Sequence, residues 1–135
     1  MILALVDDLL FASRIRAVAE RAGRPVVFAG RGSAVREVRA ARPDLIIIDL
    51  DRSASDPMAA IREIKADADH TVSGVTIVGF VSHVRGDLID AARAAGIDQV
   101  LARSAFITKL PELVAGTAAD RPVDGAAPTG ETPAS

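Results

Sequence analysis

Apolar and polar positions along the chain fall into two alternating kinds of stretch. The first kind is short and almost uniformly apolar: Ile2 to Val6, "PVVFAG", Leu45 to Ile48, "VTIVGFV" and "QVLA". The second is longer, with apolar residues recurring every three or four positions. Phe11, Ile15, Val18 and Ala22 make one such face, Val35, Val38 and Ala41 a second, and Met58, Ile61 and Ile64 a third. "RGDLIDAARAAG" and a last segment, "FITKLPELVAG" with Leu110, Leu113 and Val114, complete the series. Uniform apolar runs predict strands covered on both faces, and a period near 3.6 predicts helices with one buried face. The punctuation agrees. Gly23 and Gly96 fall where left-handed C-caps belong, and Pro25 bars continuation of the first helix. Ser33 can cap a helix start, and Pro57 suits a first helical turn. "DRSASD" and "HTVSG" read as loops.

Five strands, each followed by a helix, imply an open parallel sheet with helices on both faces, a doubly wound α/β domain. Residues 1–115 supply all of it. From Gly116 onward "GTAADRPVDGAAPTGETPAS" is rich in Ala, Pro, Gly and Thr with almost no core formers, so 116–135 are expected to be a disordered tail.

A chain of 135 residues fits one such domain. Its net charge of −2 offers no electrostatic attraction to nucleic acid or a membrane surface. Arginines cluster at Arg14, Arg16 and Arg21 and at Arg31, Arg36, Arg39 and Arg42, but no aromatics interleave them, so they read as solvated helix faces. Four Phe and no Tyr or Trp disfavour a base-stacking platform. The absence of Cys excludes disulfides, thiolate metal sites and Cys nucleophiles. No apolar stretch approaches the roughly 20 residues that span a bilayer, and Asp7 and Asp8 interrupt the only N-terminal apolar run. A cytoplasmic protein that is not an enzyme is expected.

In open α/β sheets, ligands bind outside the carboxyl ends of the strands. The residues at those ends are Asp7-Asp8, then Asp49 with Asp51 two further on, then Val81-Ser82-His83, then Arg103-Ser104. Adjacent carboxylates repel, so Asp7-Asp8 needs a reason. One is plain: Asp7 ends the strand and Asp8 caps the helix. Another is that the acids hold a divalent cation. Carboxylates from two strands, with a hydroxyl and a cation close by, are hard oxygen ligands suited to Mg2+. A carboxylate beside Mg2+ can also accept a phosphoryl group, because the metal neutralises the transferred oxygens. His83 at a strand end and His70 in a polar loop carry no comparable signal.

These segments together resemble a response-regulator receiver domain across essentially residues 1–115. "ILALVDDLLFASRIRAVAERAG" is similar to that family's first strand, acid pair and first helix. "RPDLIIIDLD" is similar to its third strand, ending in the phospho-acceptor aspartate, and "AARAAGIDQVLARSAF" to its closing "aGa.yl.KPf" segment. The resemblance implies a flavodoxin-like (βα)5 fold of strand order 2-1-3-4-5. It makes Asp7 and Asp8 the Mg2+ carboxylates, Asp49 the phosphoryl acceptor, and Asp51 a donor of its backbone carbonyl to the metal. The chain departs from the family elsewhere. Arg103 stands for the lysine, and Ser104 for the proline after it. Val81 occupies the hydroxyl position, which Ser82 can fill only with a one-residue shift. Val100 stands for the switch aromatic, and "DRSASDP" lacks the usual features of the loop after the acceptor.

The resemblance implies a stand-alone receiver in a two-component phosphorelay, taking phosphate from a histidine kinase or phosphotransfer protein and signalling by docking to another protein. The family's docking face is its fourth helix, fifth strand and fifth helix, here including Asp87, Asp90, Arg93, Val100 and Lys109. The alternative is a pseudo-receiver, the same fold acting as an interaction module without phosphorylation. A flavodoxin-like protein binding a small cofactor is disfavoured, because no Gly-rich loop follows strand one and its acids would repel a phosphate.

Overall fold

The apolar run at the middle of the chain becomes the middle of the sheet. In the computed structural model, which describes residues 1–29, 33–51, 56–82 and 86–119 with side chains to Gly116, five parallel strands form one sheet. They are β1 (Ile2–Leu5), β2 (Val26–Phe28), β3 (Leu45–Asp49), β4 (Thr76–Val81) and β5 (Gln99–Ala102), in the order β2-β1-β3-β4-β5. The expected flavodoxin-like architecture is the one observed. The helices are α1 (Leu9–Arg21), α2 (Ala34–Ala41), α3 (Pro57–Lys65), α4 (His70–Ser73), α5 (Gly86–Ala95) and α6 (Arg103–Ala119).

Because β3 is covered on both faces, its side chains divide between two cores. Ile46 and Ile48 pack with Leu3, Leu5, Ile77 and Val81 against α2, α3, α4 and α5. Leu45 and Ile47 pack with Ile2, Ala4, Val78 and Phe80 against α1 and α6 through Phe11, Ile15, Phe106, Leu110 and Val114. The caps follow the chain's punctuation. Ser33 Oγ accepts the Arg36 N–H, Asp56 caps α3 ahead of Pro57, and Gly23 and Gly96 take φ of +68° and +104°.

Local details differ from the pattern reading. "HTVSG" holds the single turn α4, capped by Asp69 and anchored by buried Val72. In α1 the buried third position is Ala19 rather than Ala22, and Val18 is half-buried. α6 starts directly at Arg103, continues through Pro111 and reaches Ala119, so it runs past Gly116. The tail from 120 to 135, Arg31, residues 52–55 of the "DRSASDP" loop and His83 lie outside the described residues.

β4 carries a glycine for lack of room. A Cβ on Gly79 would meet Ile97 Cδ1 at 2.8 Å and Leu50 Cδ1 and Cγ at 3.0 Å. Gly79→Ala is therefore expected to destabilise by about 1–3 kcal/mol through overpacking, with Gly79→Val worse. Urea unfolding measures both, and an unchanged midpoint for the valine variant would contradict this packing.

Candidate functional site at the carboxyl ends of the strands

Among the described residues Asp49 is the one buried polar or charged residue, 5% exposed. It closes β3, beside Phe80 of β4. The backbone turns immediately after it, so that the Asp51 N–H donates to Asp49 Oδ1 at 2.9 Å. Asp51 is itself tied across the site, its Oδ2 accepting the Ser82 N–H at 2.5 Å. On the neighbouring strand end, Asp8 caps α1, its Oδ1 accepting from Leu10 N at 2.9 Å and Phe11 N at 3.2 Å. Each of the two acids thus commits Oδ1 to the backbone and turns Oδ2 elsewhere.

Both Oδ2 atoms face Arg103. Its guanidinium nitrogen Nη2 lies 3.4 Å from Asp8 Oδ2, a long hydrogen bond, and 4.0 Å from Asp49 Oδ2, an ion-pair separation. The guanidinium sits on an aromatic floor, its Cζ 4.5 Å from the Phe11 ring centre and 5.9 Å from that of Phe80. Phe80 stacks in turn on Phe11 at 4.9 Å and on Phe106 at 4.6 Å. Arg103 Nε is buried and has no hydrogen-bond partner among the described residues.

Burial raises the Asp49 pKa above the ordinary 3.8, and the charge of Asp51 pushes the same way; the Asp51 N–H and Arg103 pull against them. A carboxylate buried at a strand end with incomplete compensation is the kind of group that marks functional sites.

The donor set suits a hard divalent cation in kind. Asp8 and Asp49 each keep one carboxylate oxygen turned into the pocket, and Mg2+ commonly takes one or two carboxylates with several waters. Both oxygens already face a positive charge, however, and no group of three or more acids or histidines is arranged as a metal site among the described residues.

The residues expected from the sequence are brought together unevenly. Asp8, Asp49, Asp51 and Arg103 form one connected cluster. Asp7 is exposed beside it. Ser82 joins through its backbone N–H, and Val81 is fully buried, so the usual hydroxyl position points into the core. Arg103 occupies the first turn of α6 instead of the end of β5. Two features escaped the sequence reading. The Asp51 side chain has a structural role in bridging to β4, and three of the four phenylalanines meet under Arg103. Phe11 gave a signal only as a helix-face residue, because stacking across β4, α1 and α6 has no spacing along the chain.

No family model matches the chain, and no curated protein matches it in sequence. Solved structures do match. The receiver domain of a sensor histidine kinase from Pseudomonas aeruginosa, with a magnesium ion coordinated in its active-site cleft, superposes with a TM-score of 0.67 at 24% identity, over 84% of this chain and 95% of that one. A response-regulator receiver domain from Bermanella marisrubri gives 0.68 at 23% identity, over 84% and 96%. A chemotaxis response regulator of Vibrio cholerae gives 0.71 at 16% identity, over 86% and 96%. The chain has the receiver fold. Within that fold the acid cluster stands at and just beyond the carboxyl ends of β1 and β3. No helix among the described residues is long and apolar enough to cross a membrane.

Proposed function

We propose that this chain is a receiver-type signalling domain of a two-component phosphorelay, in which Asp49 accepts a phosphoryl group. The observation that carries the reading is a buried carboxylate at the end of the central strand, with one oxygen held by the backbone and the other turned toward a cation. Solved relatives in fold support it: one is a phosphorylated cyanobacterial phytochrome response regulator, and another holds magnesium in its cleft.

In the proposed step, a carboxylate oxygen of Asp49 attacks the phosphorus of a phosphohistidine on a histidine kinase or phosphotransfer protein. The new P–O bond forms as the P–N bond breaks; its electron pair returns to the imidazole, which takes a proton from solvent. The Asp51 N–H fixes the orientation of the carboxylate for attack. Desolvation strengthens it as a nucleophile, and Arg103 lies where it can offset charge on the transferred oxygens. Asp7, Asp8, Asp49 and the Asp51 backbone carbonyl would hold Mg2+, which when bound supplies further neutralisation of those oxygens. We place the protein in the cytoplasm with its kinase. Output would pass by docking to a protein partner on the face of α5, β5 and α6, where Asp87, Asp90, Arg93 and Lys109 are exposed and Val100 is half-buried.

A second reading, a pseudo-receiver that docks without phosphorylation, is favoured by one observation: Arg103 already faces both open carboxylate oxygens. Intact-mass spectrometry after incubation with acetyl phosphate and Mg2+ separates the two. The acceptor reading expects the mass gain of one phosphoryl group on the wild type and none on Asp49→Asn. An unmodified wild type, tested also with phosphorylated histidine kinases, would leave the interaction module as the function.

A further inference from the structure

Arg103 is held by more than its charge. A lysine at this position would bring a positive charge without a flat face, whereas the guanidinium carbon sits 4.5 Å over the Phe11 ring with the Phe80 ring centre 5.9 Å away. Phe106 backs the same stack, and Phe106 and Phe80 are fully buried, so the seat is built from the core. From that seat Nη2 reaches the two carboxylate oxygens that the backbone leaves open, Asp8 Oδ2 and Asp49 Oδ2. The buried Nε has no acceptor among the described residues, so the ring contacts and the two carboxylates hold the guanidinium rather than full hydrogen bonding.

A divalent ion entering between Asp8 and Asp49 needs the same two oxygens. We propose that Arg103 is the resident counter-cation of this pocket, which a divalent ion must displace from Asp8 and Asp49 in order to bind. The proposal rests on reading the acid cluster as a receiver-type pocket, but it requires no phosphoryl transfer. It accounts for the chain carrying a planar cation on a ring platform within reach of two acids. Like charges about 4 Å apart at a protein surface repel enough to weaken binding roughly ten- to thousandfold. Arg103 is thus a positioning residue that sets the metal threshold of the pocket.

The test is a titration of the full chain with Mg2+ alone, in the wild type, Arg103→Met and Arg103→Lys, read by thermal unfolding and by NMR of the Arg103 Nε–H. The wild type is expected to bind weakly, with the Nε–H signal moving in step with saturation. Arg103→Met, which keeps the apolar stem and loses the charge, is expected to melt lower without metal and to bind Mg2+ at least about tenfold more tightly, regaining stability as it fills. Arg103→Lys, lacking the flat face, is expected to fall between the two. A folded Arg103→Met that binds Mg2+ no more tightly than the wild type would overturn the proposal, as would wild-type saturation that leaves the Nε–H unmoved. If Arg103→Met fails to fold in either condition, Arg103→Lys decides, and an affinity equal to wild type overturns the proposal. The acceptor reading fails on a different readout: tighter Mg2+ binding in Arg103→Met with no phosphoryl gain on the wild-type protein would remove the phosphorelay and leave the counter-cation in place.

Discussion

Asp49→Asn is expected to stabilise the fold at neutral pH, because it removes a buried charge that its surroundings compensate incompletely. The asparagine keeps an oxygen for the Asp51 N–H and removes the carboxylate charge that burial disfavours. The sign with pH follows from the raised pKa. Between the ordinary value of 3.8 and the higher folded one, the folded chain binds more protons than the unfolded chain. This acid therefore makes stability fall as pH rises across that window, and its contribution then stays flat. Two other acids work the opposite way. The Asp67 carboxylate is held below 3.8 chiefly by the Asp69 N–H, and Asp69 chiefly by the Thr71 hydroxyl. Their stabilisation is lost as pH falls below the ordinary value, on the other side of the Asp49 window. Thermal melts of wild type and Asp49→Asn across the acid range check this: the two should converge toward low pH and separate as pH rises. A variant less stable than the wild type at neutral pH would mean that attraction to Arg103 outweighs desolvation.

Phe80→Ala is expected to cost about 3–5 kcal/mol, the range for removing a large buried aromatic, against total stabilities of roughly 5–15 kcal/mol for such domains. Phe80 is fully buried and stacks on both Phe11 and Phe106. The ring also underlies Arg103, so truncation should loosen the cation seat along with the core. Phe28→Ala is the matched control. Phe28 is half-buried on the edge strand β2, where Arg16 stacks over it at 4.8 Å, and its loss should cost much less. Urea unfolding of the two variants gives the comparison, and equal midpoints would show that the stack does not anchor the second core.

The positions of Asp8 and Asp49 just beyond the first and third apolar runs were legible because strand length and helix punctuation are local properties. Uniform apolar runs such as Leu45–Ile48 give the strand, and the acids directly after the first and third runs, Asp7 and Asp49, mark where those runs stop. The capping role of Asp8 was legible in the same way, as an acid just ahead of a helical pattern, and it coexists with the pocket because its two oxygens serve different purposes. The α4 turn was missed because four residues are too few to display a period. The start of α6 was misplaced because "LARSAF" carries no cap signal to separate Ala102 of β5 from Arg103 of the helix.

The alternation of runs and periods by itself determined the order of strands and helices in the chain, and the strand-end location of the acids, because each depends on neighbours a few residues away. Only the tertiary structure decided which acids keep an oxygen free, which cation they face and what that cation rests on. Those answers join residues as distant in sequence as Asp8 and Arg103, or Phe11 and Phe80, which come together through sheet order and helix packing. A contact made across three elements leaves no spacing in the chain, and that is why the guanidinium on its aromatic seat became visible only in the fold.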